Sequence, residues 1–165
     1  MKRSKRETVR SSLMNVGRRA DYAVRALAYL AGQPPDKRVS KAEIERKQDI
    51  PSHFLSKIMR DLVVGALVES HIGSKGGFRL ARPAKTISIK EVYEAIEKPL
   101  TLMECFDKRA SYCQLWSGCG QVSIWARAQG LLASYLDTVS LADIADQQGL
   151  RRRLKGLQRP SGSSR

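Results

Sequence analysis

Apolar positions fall into runs of helical period separated by short polar breaks. Tyr22, Ala23, Ala26, Leu27 and Leu30 recur at three- and four-residue steps, which predicts a helix over 18–31. Gly32, Pro34 and Pro35 end it. Ser40 and Glu43 then form an S-x-x-E capping box flanked by Val39 and Ile44 in staple positions, and a helix to about residue 48 follows. Asp49-Ile50-Pro51 reads as a short turn, with Pro51 suited to a first helical turn. A second helix runs over 52–64 with Leu55, Ile58, Met59 and Leu62 on its buried stripe. Leu67-Val68 and Phe78-Arg79-Leu80 read as two short strands joined by the glycine-rich tip 72–77. A second capping box, Ser88 with Glu91, stapled by Ile87 and Val92, opens a helix to about residue 97. After a loop over 98–120, the stripe Ile124, Ala128, Leu131, Leu132, Tyr135, Leu136 and Val139 marks a helix of about 20 residues. Ser140 to Asp143 starts a short last one. The fold class expected is mainly α with a small β-wing: a winged helix-turn-helix domain plus a long C-terminal helix.

Charge sharpens this picture. The chain of 165 residues carries 30 Lys and Arg against 16 Asp and Glu, a net of +14 with a sequence pI near 10.1. Residues 1–20 and 151–165 each hold a net of +6, while 91–150 are at −4. Residues 37–90, which contain the helix-turn-helix and the wing, hold twelve basic and five acidic residues, a net of +7. A basic middle and basic ends point to a polyanion, most simply double-stranded DNA. The ends alone could equally be solvated tails that keep the chain soluble.

An α-helix fits the major groove, and its N-terminal residues reach base edges. Here those are Ser52, His53, Ser56 and Lys57, with Phe54 able to touch a thymine methyl and Arg60 at phosphate reach one turn on. The wing offers Ser74, Lys75 and Arg79, and Gly73, Gly76 and Gly77 let its backbone approach a phosphate or a minor groove. Arg18 and Arg19 are placed to clamp a flanking phosphate.

The three cysteines, Cys105, Cys113 and Cys119, all lie in one loop at C-x7-C-x5-C spacing. An odd number argues against a disulfide framework, so a cytoplasmic protein with reduced thiols is expected. Structural zinc uses four ligands, usually in close C-x2–4-C pairs, and that spacing is absent. Three thiolates in a glycine-containing loop suit an iron–sulfur cluster better, with a fourth ligand from elsewhere. Three unrelated cysteines is the alternative. A thiol redox enzyme is disfavoured, since no C-x-x-C pair and no histidine near a cysteine is present. No enzymatic activity and no small-molecule substrate are expected. No run approaches the ~18 apolar residues of a membrane helix, and no apolar stretch follows the basic N-terminus as a secretory signal requires.

Residues 14–145 resemble the Rrf-type (BadM/Rrf) family of bacterial transcription regulators. The likeness rests on 21–27 (DYAVRAL) with Tyr29-Leu30-Ala31, on the wing 73–82 (GSKGGFRLAR), on Glu104-Cys105-Phe106 with Cys113 and Cys119-Gly120, and on Leu141-Ala142-Asp143-Ile144. The resemblance implies a homodimeric winged-helix regulator that binds operator DNA. Its dimer helix would be the one around 122–139, and Cys105, Cys113 and Cys119 would hold a [2Fe–2S] or [4Fe–4S] cluster. The cysteine spacing and the E-C-F triplet look most like the rhizobial iron-responsive members (RirA-like). The histidine that IscR-like members carry three residues after the last cysteine is replaced by Val122. Asp21 matches the first-helix aspartate that NsrR-like members contribute from the partner subunit, although those members usually space the first two cysteines more tightly. Asp21 is otherwise a first-turn acid favoured by the helix dipole or an i,i+4 partner of Arg25.

The organisation expected is a disordered basic extension over 1–13, a winged helix-turn-helix over 14–98 and a cysteine cluster loop over 99–120. A dimer helix with a closing helix follows over 121–146, then a disordered basic tail over 147–165. The function expected is a DNA-binding regulator, a repressor, whose operator affinity follows a cluster sensing iron, nitric oxide or redox state. The alternatives are a cluster-free regulator using thiols or zinc, and a non-specific basic nucleic-acid binder driven by its tails.

Overall fold

The computed structural model describes residues 17–73, 76–97, 101–106, 116–146 and 149. The expected extension 1–13 and most of the tail 147–165 lie outside them, as do Ser74, Lys75 and Cys113. The elements are α1 (Arg18–Ala31), α2 (Lys41–Gln48), α3 (Ser52–Val64), β1 (Val68–His71), β2 (Gly77–Leu80), α4 (Ile89–Glu97), α5 (Val122–Thr138) and α6 (Leu141–Ala145). Three 3-10 turns, Ala84–Thr86, Glu104–Phe106 and Trp116–Gly118, interrupt the connections, and the apolar periodicity does not announce them.

Side-chain caps account for three of the six helix starts among the described residues, those of α2, α4 and α6. At α4 the box closes both ways: Glu91 N–H donates to Ser88 Oγ at 3.2 Å and Ser88 N–H donates to Glu91 Oε2 at 2.8 Å. The Ser140–Asp143 box at α6 closes likewise. At α2 only half forms. Ser40 Oγ accepts from Glu43 N–H, but the Glu43 carboxylate accepts from the Tyr29 hydroxyl at 2.8 Å and from Lys37 at 3.2 Å instead. Those two bonds hold the Glu43 carboxyl below its ordinary value, and the bond to Glu43 pushes the Tyr29 phenol up.

The wing departs from the expected strands. Leu67 belongs to the turn, and β1 continues through Glu69, Ser70 and His71, paired antiparallel with Arg79, Phe78 and Gly77. Those three polar residues hide the strand from an apolar alternation. Val39 adds a third pairing position, exchanging both backbone hydrogen bonds with Phe78 at 2.9 and 2.8 Å. Gly77 makes this possible: at φ 153° a Cβ there would stand 2.6 Å from the Val39 carbonyl oxygen. The room at Gly77 is therefore filled by Val39, not open to a phosphate.

The core gathers Leu27, Ile44, Leu55, Ile58, Met59, Leu62, Ile87 and Val92, all buried. α1 packs against α2, α3, α4 and α6, and α4 packs against α3 and α5. α5 contributes no buried residue. It spans 17 residues, close to the length the stripe predicts. Among the described residues, no helix is long and apolar enough to cross a membrane.

Candidate nucleic-acid interface and cysteine site

The turn between α2 and α3 starts at Asp49, whose left-handed backbone (φ 51°, ψ 52°) caps α2. Aspartate tolerates this conformation better than most side chains. Pro51 is the N-cap of α3, one residue earlier than a first-turn proline. Arg25 fixes the pair from below: its guanidinium donates to the carbonyl of Gln48 at the end of α2, lies over the Tyr22 ring at 5.7 Å and pairs with Asp21 at 3.6 Å. Sequence reasoning sees only the last of these contacts, because the i,i+4 spacing is local and Gln48 is not.

On α3, Ser52, His53, Ser56, Lys57 and Arg60 are exposed, on the side opposite Leu55, Ile58, Met59 and Leu62. Phe54 is half-buried against the core, edge-on to Tyr22 at 5.8 Å with the His53 ring 4.3 Å away. It anchors the start of the helix, and only part of it faces outward. Ser56 donates to the Ser52 carbonyl at 3.0 Å. Lys41 Nζ donates to Ser52 Oγ at 2.9 Å and pairs with Glu45 at 3.3 Å, which places a cation at the start of α3 that the sequence reading left out.

The remaining cations divide. Lys57, Arg60 and Arg18 are exposed, and among the described residues no ion pair engages them. Arg19 is tied to Asp61 at 2.5 Å and Arg79 to Glu69 at 2.8 Å. The Arg79 bond holds the Glu69 carboxyl below its ordinary value, with His71 at 3.4 Å helping. Gly76 sits under the tip, where its N–H donates to the Gly73 carbonyl at 2.9 Å. Ser74 and Lys75, beside it, are outside the described residues.

Asp21 stays largely exposed in its Arg25 pair. Nearby, burial first, then the charges of Asp21 and Glu97, push the Tyr93 phenol up. Cys105 and Cys119 are both free and half-buried. Cys105 rides on the Glu104–Phe106 turn. Cys119 lies three residues before the start of α5, and its carbonyl accepts from Val122 N–H at 3.2 Å. The Phe106 and Trp116 rings meet edge to face, 5.7 Å between centroids at 88°. The Leu102 N–H donates to Gln129 Oε1 on α5 at 3.0 Å. Among the described residues no three of His, Cys, Asp and Glu converge on a metal position, so Asp21 does not join Cys105 and Cys119 within one chain.

On α5, Ile124, Leu131 and Tyr135 are each 65% exposed, and Ala128, Leu132 and Leu136 are half-buried. These residues lie along one side of α5, and among the described residues much of that side has no cover.

Comparison with known proteins agrees with the architecture. The chain is 27% identical over 146 residues to the HTH-type transcriptional regulator NsrR of Oceanobacillus iheyensis, covering 88% of this chain and 99% of that one. It is 31% identical over 147 residues to protein aau3 of Rhizobium meliloti, covering 89% and 95%. Among solved structures, CymR, the global cysteine regulator of B. subtilis, superposes with a TM-score of 0.65 at 20% identity over 81% of this chain and 97% of that one. T. potens IscR superposes with 0.61 at 22% identity over 88% and 92%. The model of the Rrf2 family, described as iron-dependent transcriptional regulators, matches residues 16–147, and with four-fifths of its length so matched this chain belongs to the Rrf2 family of DNA-binding transcriptional regulators.

Proposed function

We propose that this regulator is a cytoplasmic homodimeric repressor that reads a specific operator with α3. An iron–sulfur cluster on Cys105, Cys113 and Cys119, with the partner's Asp21 as fourth ligand, would set its affinity. The observation that carries the reading is the place of the two free thiols. Cys105 and Cys119 both lie within the connection from α4 to α5. α4 packs directly on α3, the helix whose exposed face holds Ser52, His53, Ser56, Lys57 and Arg60. Anything that orders this connection acts on both the recognition helix and the dimer helix.

The donor set fits such a group. The thiols are unpaired, and thiolates are the usual cluster ligands. When bound, a cluster supplies a reactive, redox-active link among the thiolates. The rest belongs to the chain. Lys57 and Arg60 meet phosphates, and Ser52, His53 and Ser56 face base edges. The partly exposed edge of Phe54 is left for a thymine methyl. Lys75, Ser74 and Gly76 at the wing tip approach the adjacent groove, while Arg79 and Gly77 support the wing from its base. Arg18 meets a flanking phosphate, with Arg19 beside it oriented by its Asp61 pair. Two recognition helices must meet half-sites about one helical turn apart, so the stripe Ile124, Ala128, Leu131, Leu132, Tyr135 and Leu136 sets their spacing.

A ligand shifts DNA affinity only through its different affinity for two dimer states. Cluster loss is expected to change operator affinity by about tenfold, or 1.4 kcal/mol. Anaerobic purification with an absorption spectrum, iron and acid-labile sulfide assays, and anisotropy titrations of holo and apo protein test this. Equal affinities sink the proposal. A protein that stays colourless after reconstitution assigns sensing to thiols or zinc. Binding that disappears when 1–13 and 151–165 are deleted assigns it to the basic tails.

A further inference from the structure

The two described arms of the cysteine connection are not independent. Phe106 follows Cys105 directly, and Trp116 lies three residues before Cys119. Their rings nevertheless meet edge to face at 5.7 Å, the arrangement that aromatic quadrupoles prefer. Each arm is also fastened locally, Phe106 N–H to the Met103 carbonyl at 3.0 Å and Val122 N–H to the Cys119 carbonyl at 3.2 Å. No core requirement explains the ring pair. Trp116 is 48% exposed, and neither ring belongs to the hydrophobic core. What the contact does is close the chain between the two thiols. An open loop must lose conformational freedom when its ends are brought together, and a closure made beforehand removes that cost from ligand binding.

We propose that Phe106 and Trp116 form an aromatic clasp that holds the Cys105 and Cys119 arms together before a cluster arrives and slows its loss afterwards. Both are positioning residues. The part that concerns the cluster rests on the function proposed above; the closure of the arms does not. An edge-to-face pair shifts such a closure by about fivefold. The clasp depends on ring character and not on the indole nitrogen, so phenylalanine can replace Trp116.

The test uses the full-length, cluster-free protein carrying Cys113→Ser, which leaves two thiols. The rate of intramolecular crosslinking by a short bismaleimide is read by peptide mass, with crosslinks between subunits separated by gel mobility. Trp116→Ala and Phe106→Ala are expected to slow it about fivefold, while Trp116→Phe stays near the parent. Unchanged unfolding midpoints exclude a general loss of fold. Equal rates in parent and alanine variants would overturn the clasp. In reconstituted protein with all three cysteines, Trp116→Ala is expected to lose its iron absorbance to a chelator about fivefold faster than the parent, and Trp116→Phe at the parent rate. Equal loss rates overturn the role in retention. A parent protein that takes up no iron and sulfide removes the cluster reading, and the crosslinking rates still decide the clasp.

Discussion

The half of the molecule from α1 to α4 and the helix α5 hold their apolar side chains in opposite ways. Between Ala20 and Ile96 the apolar stripes of four helices close on one another, and almost every buried side chain of the described residues lies there. α5 is the longest helix, yet it buries nothing completely, and Ile124, Leu131 and Tyr135 stand mostly in solvent. A contiguous apolar face of that kind marks an interaction surface. Among the described residues the winged-helix half completes its core, whereas the stripe of α5 is left without one. On the function proposed above, that division would keep each recognition helix rigid while the spacing between two of them responds to a signal.

The sharpest way to break this comparison is a truncation inside the closed core. Leu62 is fully buried among α3's neighbours, and Leu62→Ala is expected to cost about 3 kcal/mol, read from the shift in urea midpoint. The matching truncation Leu131→Ala on α5 is expected to leave a concentration-independent unfolding midpoint nearly untouched. A loss of 2 kcal/mol or more in Leu131→Ala at high dilution (on the order of a buried leucine) would mean that α5 is packed within its own chain after all.

Next in size is the test of what covers α5. Leu131→Lys places a charge in the centre of the stripe. It is expected to raise the dimer dissociation constant by at least about tenfold, measured by sedimentation velocity over a dilution series. Operator affinity is expected to fall in step, because a dimer on two half-sites loses its spacing. An unchanged sedimentation profile would send the search for a cover elsewhere.

Legibility in the sequence followed the same division. Helix starts were readable where the signal lies within four residues, as at Ser88 and Ser140. They misled where a distant group competed: Glu43 left its capping box because Tyr29, fourteen positions away, offered a better-placed hydroxyl. The wing was readable from its glycines. The reason for Gly77 was not, since it lies in the backbone of Val39, far back in the chain. Arg25 was legible as the partner of Asp21 but not as the brace on Gln48. The cysteine spacing pointed to a kind of chemistry. It carried no sign that Phe106 and Trp116 join the arms, because neither ring falls on a periodic stripe.

A smaller effect tests how closely the core half is fitted. Ala66, in the turn between α3 and β1, sits at φ 53°, where a Cβ crowds the backbone and glycine does not. Ala66→Gly is expected to stabilise the protein by about 0.5–1 kcal/mol, again by urea midpoint. A destabilisation would show that the Cβ's contacts outweigh its strain.

The smallest expected effect concerns the carboxylates that brace the same half. Burial around Glu91 favours its neutral form. The Ser88 N–H and the Arg82 guanidinium outweigh this and hold its carboxyl below the ordinary 4.5. Glu69 is held down by Arg79 in the same direction. A carboxyl whose value is lower folded than unfolded binds fewer protons in the folded chain, so stability rises with pH across that interval. The contribution is complete above about 4.5 and fades as pH falls through the lowered folded value. Both side chains are about two-fifths exposed, so solvent screens them and the change is modest. Glu91→Gln is therefore expected to lower the urea midpoint slightly at pH 7, and the gap from the parent is expected to narrow as the pH falls below 4.5 through the lowered folded value, where the parent's carboxyl takes up its proton. A gap that stays constant over the same acid titration would assign the loss to the capping geometry at Ser88 and not to the charge.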